Sequence, residues 1–132
     1  MASRIYVRLN IQNMLRLSHK GLEVYKMAML YLKEVYTLTK SFPKEEQFAL
    51  INQIRRAAVS VCSNIAEGAS RISVIEKKRF YEISRSSLVE ADTHFEISLL
   101  LNYVQQIQLG KLDECQESIF RMLSKMISNL TK

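Results

Sequence analysis

Three glycines and one proline punctuate a chain of 132 residues, and this scarcity constrains the fold more than any other feature. A sandwich or barrel needs a turn signal every ~8–12 residues, so little room is left for either. Long uninterrupted segments remain, and their apolar residues recur at helical spacing. The length suits a single domain. Apolar residues make up 48% and mean hydropathy is −0.06, values that argue against a disordered chain.

Residues 1–18 stand apart as a basic arm, with the bundle expected over 19–132. Ile5, Val7, Leu9 and Ile11 alternate with mostly polar positions, and Arg4, Arg8, Arg16 and Lys20 give residues 1–20 a charge of +4 with no acid. Two readings stay open: a poorly ordered tail, or an arm that docks on a partner or neighbouring subunit.

A first helix is expected over about 20–40, carrying Leu22, Tyr25, Met29, Leu32 and Tyr36, and ending before Pro43. The second should take Pro43, Glu45 and Glu46 into its first turn and stop at Gly68. Ser73-Val74-Ile75-Glu76 reads as a capping box opening a third helix to about Val104, roughly 45 Å long. Gly110 marks a break, Asp113 and Gln116 a further cap, and Ile119, Met122, Leu123, Met126, Ile127 and Leu130 a fourth helix. Short connections make this an all-α, antiparallel up-down-up-down four-helix bundle.

Helix two is unusually apolar. Leu50, Ile54, Ala57, Ala58, Val61 and Ile65 form one stripe, which Phe48, Ile51, Val59, Cys62, Ala66 and Ala69, interrupted only by Arg55, widen to about 200°. Either the helix sits deep in its own bundle, or that second edge is an oligomer interface. Glu67 and Glu90 lie beside small or apolar residues and are expected to be partly buried, with Asn64 or Ser87 as hydrogen-bond partners.

The chemistry of sites gives mostly exclusions. No apolar run approaches the ~18 residues of a membrane span, and the first residues lack a signal-peptide core. Two cysteines, Cys62 and Cys115, make no disulfide framework or metal spacing, so a reducing, cytoplasmic setting is expected. A di-iron bundle needs two Glu-x-x-His pairs, which His19 and His94 do not supply. No glycine-rich phosphate loop is present, and neither thiol has an activating base in its pattern. No enzyme, metal or cofactor is expected.

Charge is more informative. Residues 71–85 carry +3 through Arg71, Lys77, Lys78, Arg79 and Arg85, while residues 86–110 carry −3. Arg55 and Arg56 add a second basic site on helix two. Such clusters neutralise phosphates without reading sequence; a solvated helix face is the competing reading.

Phe42-Pro43, Gln53-Ile54-Arg55-Arg56-Ala57-Ala58-Val59-Ser60 and Ser63-Asn64-Ile65-Ala66-Glu67-Gly68 resemble the signature of a bacterial four-helix family. Its members are encoded in 23S ribosomal RNA intervening sequences, and the accessory variability protein of diversity-generating retroelements is related. Arg79-Phe80 and Ser84-Arg85-Ser86-Ser87-Leu88-Val89-Glu90 extend the match, which covers about residues 22–130. The resemblance implies a ring-like homopentamer with a basic surface for RNA or DNA, in some relatives beside a reverse transcriptase. Cys62 stands where the family often has proline, Tyr25 where tryptophan is common, and Ser86 where glycine is common. Two functions are carried forward: a non-enzymatic, oligomeric nucleic-acid-binding bundle, and a protein–protein scaffold. A membrane partner is not expected.

Overall fold

A computed structural model describes Leu15 and residues 17–130. Four helices make up most of it: α1 (Glu23–Thr39), α2 (Leu50–Ser70), α3 (Val74–Leu100) and α4 (Gly110–Leu130). Short 3-10 turns occupy Ser18–Gly21, Lys44–Glu46 and Gln106–Leu109, and no strand occurs among the described residues. Most of the expected basic arm lies outside the described residues.

Hydrogen bonds between helices fix their directions. Cys62 Sγ donates to the Ala28 carbonyl at 3.3 Å and Arg55 Nε to Thr39 Oγ1 at 2.9 Å, so α1 and α2 run in opposite senses. Ser84 Oγ donates to the Val61 carbonyl at 2.8 Å, and the Ser60 and Ser87 hydroxyls lie 2.7 Å apart, which sets α2 against α3. Arg85 Nη1 reaches Ser124 Oγ at 3.0 Å and Gln116 Nε2 reaches Asp92 Oδ1 at 2.9 Å, which sets α3 against α4. The bundle closes where Tyr31 of α1 donates to Gln116 Oε1 of α4 at 2.9 Å.

Tyr31, Ile54, Ile65, Leu112, Ile119 and Leu123 fill the centre and are fully buried. Each large aliphatic side chain there contributes roughly 1.5–3 kcal/mol by leaving water. The inner face of α3 is different. Ser84, Ser87, Ala91 and Ser98 are buried on it, and such small side chains let α2 approach closely.

Helix ends depart from expectation in four places. Pro43 does not start α2. It precedes the turn Lys44–Glu46, and α2 begins only at Leu50. Aromatic anchoring explains the detour: Phe42 is buried with its ring 5.8 Å from that of Tyr103, and the Tyr103 hydroxyl donates to Glu46 Oε2 at 2.8 Å. Gly68 does not stop α2, which continues unbroken to Ser70. α3 ends at Leu100, short of Val104, because Asn102 adopts a left-handed φ of 62°. The Tyr103 and Asn102 amides then bond back to the Ser98 and Leu99 carbonyls at 2.9 and 3.1 Å, closing the helix with a Schellman motif. α4 starts at Gly110 itself, so Asp113 lies in its first turn rather than at a cap.

Candidate nucleic-acid interface

The link from α2 to α3 spans only residues 71–73, and three features let the chain turn so tightly. Gly68 faces the Tyr81 ring so closely that an added Cβ would lie 2.6 Å from one of its carbons. Lys77 Nζ donates to the Gly68 and Ala69 carbonyls at 3.3 and 3.0 Å, satisfying acceptors that the last turn of α2 leaves open. Ser73 Oγ accepts the Glu76 amide at 3.3 Å, the forward half of the expected capping box.

Outside this corner the side chains form a compact cationic and apolar group. The Arg79 guanidinium carbon lies 4.4 Å from the centre of the Phe80 ring and that of Arg71 lies 4.8 Å from it. Glu76 accepts from Arg79 Nε at 3.0 Å and Nη2 at 3.3 Å, and Glu67 accepts from Arg71 Nη2 at 3.2 Å. These bonds hold the Glu76 carboxyl below the usual carboxylate range and raise the Arg79 guanidinium above its own. Ile72 and Ile75 point outward, 98% and 79% exposed.

The seven basic residues singled out in the sequence separate into three groups. Arg71, Lys78 and Arg79 share the corner. Arg56 is exposed on the outer face of α2, about 22 Å along the axis from Arg71 at 1.5 Å per residue. Arg55, Lys77 and Arg85 are committed within the bundle. Arg55 lies 4.4 Å over the Tyr36 ring while bonded to Thr39, Lys77 caps α2, and Arg85 bonds Ser124 with its charge 5.7 Å from the Phe120 ring. Helical spacing places these three on accessible faces, but their long side chains fold back onto neighbouring helices.

The expected oligomer edge divides in the same way. Ile51 and Cys62 are buried in their own bundle, which removes them from any contact surface. Phe48 and Val59 remain open, 88% and 44% exposed, and Ala66 is half-buried. Burial of the expected structural carboxylates is also corrected. The Glu67 and Glu90 side chains are 52% and 57% exposed and pair with Arg71 and His94 along their own helices. Asn64 instead donates to the Ser60 carbonyl and hydroxyl at 2.9 and 3.0 Å, and Ser87 meets Ser60.

A polar chain that runs from the core to the surface is not visible in the sequence. Tyr31, Gln116 and Asp92 connect α1, α4 and α3, with Gln116 buried at the middle. Beside it runs a groove of about 350 Å³ lined by Leu88, Val89, Asp92, Asp113 and Phe120. Burial and the nearby Asp92 hold the Asp113 carboxyl above its usual range. Burial also pushes the Cys62 thiol up to about 12, far from thiolate reactivity. No group of three metal-ligating side chains occurs among the described residues, and no described helix is long and apolar enough to cross a membrane.

The fold and surface define an all-α four-helix bundle with Arg71, Lys78 and Arg79 grouped at the corner between α2 and α3. The chain belongs to the 23S rRNA-intervening sequence protein family, whose profile matches residues 20–125. No curated protein matches the chain.

Proposed function

We propose that the protein is a non-enzymatic, oligomeric bundle that acts in the cytoplasm and binds RNA or DNA, largely without sequence specificity. The observation that carries this reading is the α2–α3 corner, where Arg71, Lys78 and Arg79 surround exposed apolar side chains. Arg56 and Lys78 have no acidic partner among the described residues, so they are the cations best placed to neutralise phosphate. Exposed apolar side chains support self-association into a homo-oligomer, of which the homopentamer is the form the resemblance implies. Val89 and Leu100 on α3, 51% and 79% exposed, join Phe48 and Val59 in that role. Repeating the corner around an oligomer multiplies weak phosphate contacts into useful avidity. Titration of RNA and DNA at about 50 and about 200 mM salt tests the reading: affinity is expected to fall steeply between the two. Failure to bind either at the lower salt would falsify it.

A second reading, a protein–protein scaffold that includes the accessory subunit of a reverse transcriptase, is favoured by the opposite end of the bundle. Phe48, Leu100 and Ile107 there are 88%, 79% and 87% exposed. Exposed apolar side chains mark a contact surface where they form a contiguous patch, and these three share the end formed by the two long turns. Light scattering separates the readings, because a stable monomer leaves those residues to a different protein.

A further inference from the structure

The α2–α3 corner carries features that a phosphate backbone alone does not use. Arg71 and Arg79 already have carboxylate partners, so a phosphate there must compete with Glu67 and Glu76. Hydrogen bonds to a guanidinium are made in its plane. The paired bonds from Arg79 to Glu76 therefore fix that plane while leaving its flat faces without hydrogen bonds. Both guanidinium groups lie over the Phe80 ring, and their side chains are 45% and 54% exposed. With the ring occupied by two cations, the sides of Arg71 and Arg79 turned away from Phe80 are what the cluster leaves for stacking.

Ile72 and Ile75 flank this cluster with almost no cover of their own. A duplex keeps its base faces stacked inside and presents phosphates and groove edges, which offer these side chains little apolar surface. An unpaired strand presents base faces, and these stack on aromatic rings and guanidinium planes.

We infer that the corner binds unpaired nucleic acid, with bases stacked on the Arg71, Phe80 and Arg79 cluster and packed against Ile72 and Ile75. The inference rests on the nucleic-acid reading above and names the substrate class of that same surface. Fluorescence anisotropy with oligouridine, oligothymidine and hairpin duplexes of equal phosphate number tests it, the two strands separating RNA from DNA. Single strands are expected to bind at least about tenfold tighter than duplex, the worth of one stacked base. Arg71→Lys with Arg79→Lys keeps the charge but removes the planes. That variant should lose the single-strand preference while its duplex affinity, salt slope and helical circular dichroism stay unchanged. Ile72→Ser, at a site too exposed to unfold the bundle, should weaken strand binding alone.

Equal binding of strand and duplex, or a preference that survives the double lysine variant, overturns the inference and leaves the general nucleic-acid reading standing. Binding to phosphatidylserine vesicles through Ile72 and Ile75, in place of either strand, also overturns it. No binding to any of the nucleic acids overturns both.

Discussion

At one end of the bundle the chain passes from α2 to α3 through residues 71–73; at the other it uses residues 40–49 and 101–109 to make its two turns. The short turn is regular: a glycine admits an aromatic ring, a lysine caps one helix and a serine caps the next. Its arginines are laid over Phe80 and clamped by carboxylates. The long turns are irregular and carry Glu46 bonded to Tyr103, with Phe48, Leu100 and Ile107 facing outward. A charge count treats each basic residue alike, whereas the comparison shows that the short turn brings Arg71 and Arg79 together over one ring while Arg55 and Arg85 are tied to neighbouring helices.

The largest expected effect tests that contrast directly. Arg71→Glu with Lys78→Glu, both at the α2–α3 corner, should lower RNA affinity roughly 100-fold near 0.1 M salt, because two cations beside the bound phosphates become repulsive. Lys44→Glu with Lys111→Glu, the matched reversal at the far end, should change it little. Equal losses in anisotropy titrations would break the distinction between the ends.

Gly68→Ala comes next. Alanine gains about 1 kcal/mol of helix propensity over glycine, but its Cβ would press on the buried Tyr81 ring. Overpacking of this kind costs about 1–3 kcal/mol, so a net loss is expected in urea unfolding. A gain in stability would show that the corner is looser than its contacts indicate.

Phe48→Ser should leave the stability of the bundle within about 0.5 kcal/mol, since the ring is 88% exposed. Its mark should appear in light scattering as a smaller assembly. An unchanged mass would remove Phe48 from the oligomer surface.

The smallest effects concern pH, and the two ends should respond in opposite senses. Desolvation by burial and Asp92 raise the Asp113 carboxyl in the folded state, so the folded chain binds this proton more tightly than the unfolded one. Its contribution to stability therefore rises as pH falls from neutrality through the raised value, and levels off below the unfolded pKa. Hydrogen bonding to Arg79 lowers the Glu76 carboxyl, so its contribution is present above the unfolded pKa and lost as pH falls through the folded one. Asp113→Asn and Glu76→Gln, followed by thermal unfolding across acid pH, should remove components of opposite slope. Slopes of the same sign would contradict the assignment.

Much of the architecture was legible in the sequence. The helical periodicities, the Ser73 cap and the break before Gly110 come from local rules that the folded chain obeys. Pro43 misled because its neighbour Phe42 buries against Tyr103, a contact sixty-one positions away that propensity cannot see. Gly68 misled because glycine serves close approach as well as helix ending. Asn102 ends α3 because asparagine tolerates the left-handed region, a local signal that apolar periodicity running on to Val104 conceals. The candidate surface was less legible. Periodicity assigns a Cβ to a face, but Arg55, Lys77 and Arg85 have side chains long enough to leave that face for a neighbour's hydroxyl, carbonyl or ring.

The brevity of the α2–α3 link also bears on the order in which the molecule assembles. Closing a link of ten residues rather than three costs about 1 kcal/mol more in chain entropy. The serine seam then rewards the shorter closure at once, through Ser84 with Val61 and Ser60 with Ser87. The α2–α3 hairpin is therefore expected to form the folding nucleus, with α1 and α4 docking later. Substitutions at Ser84 should slow refolding, while those at Ile119 should mainly speed unfolding. On this route the cationic corner is already in place while the rest of the core is still open.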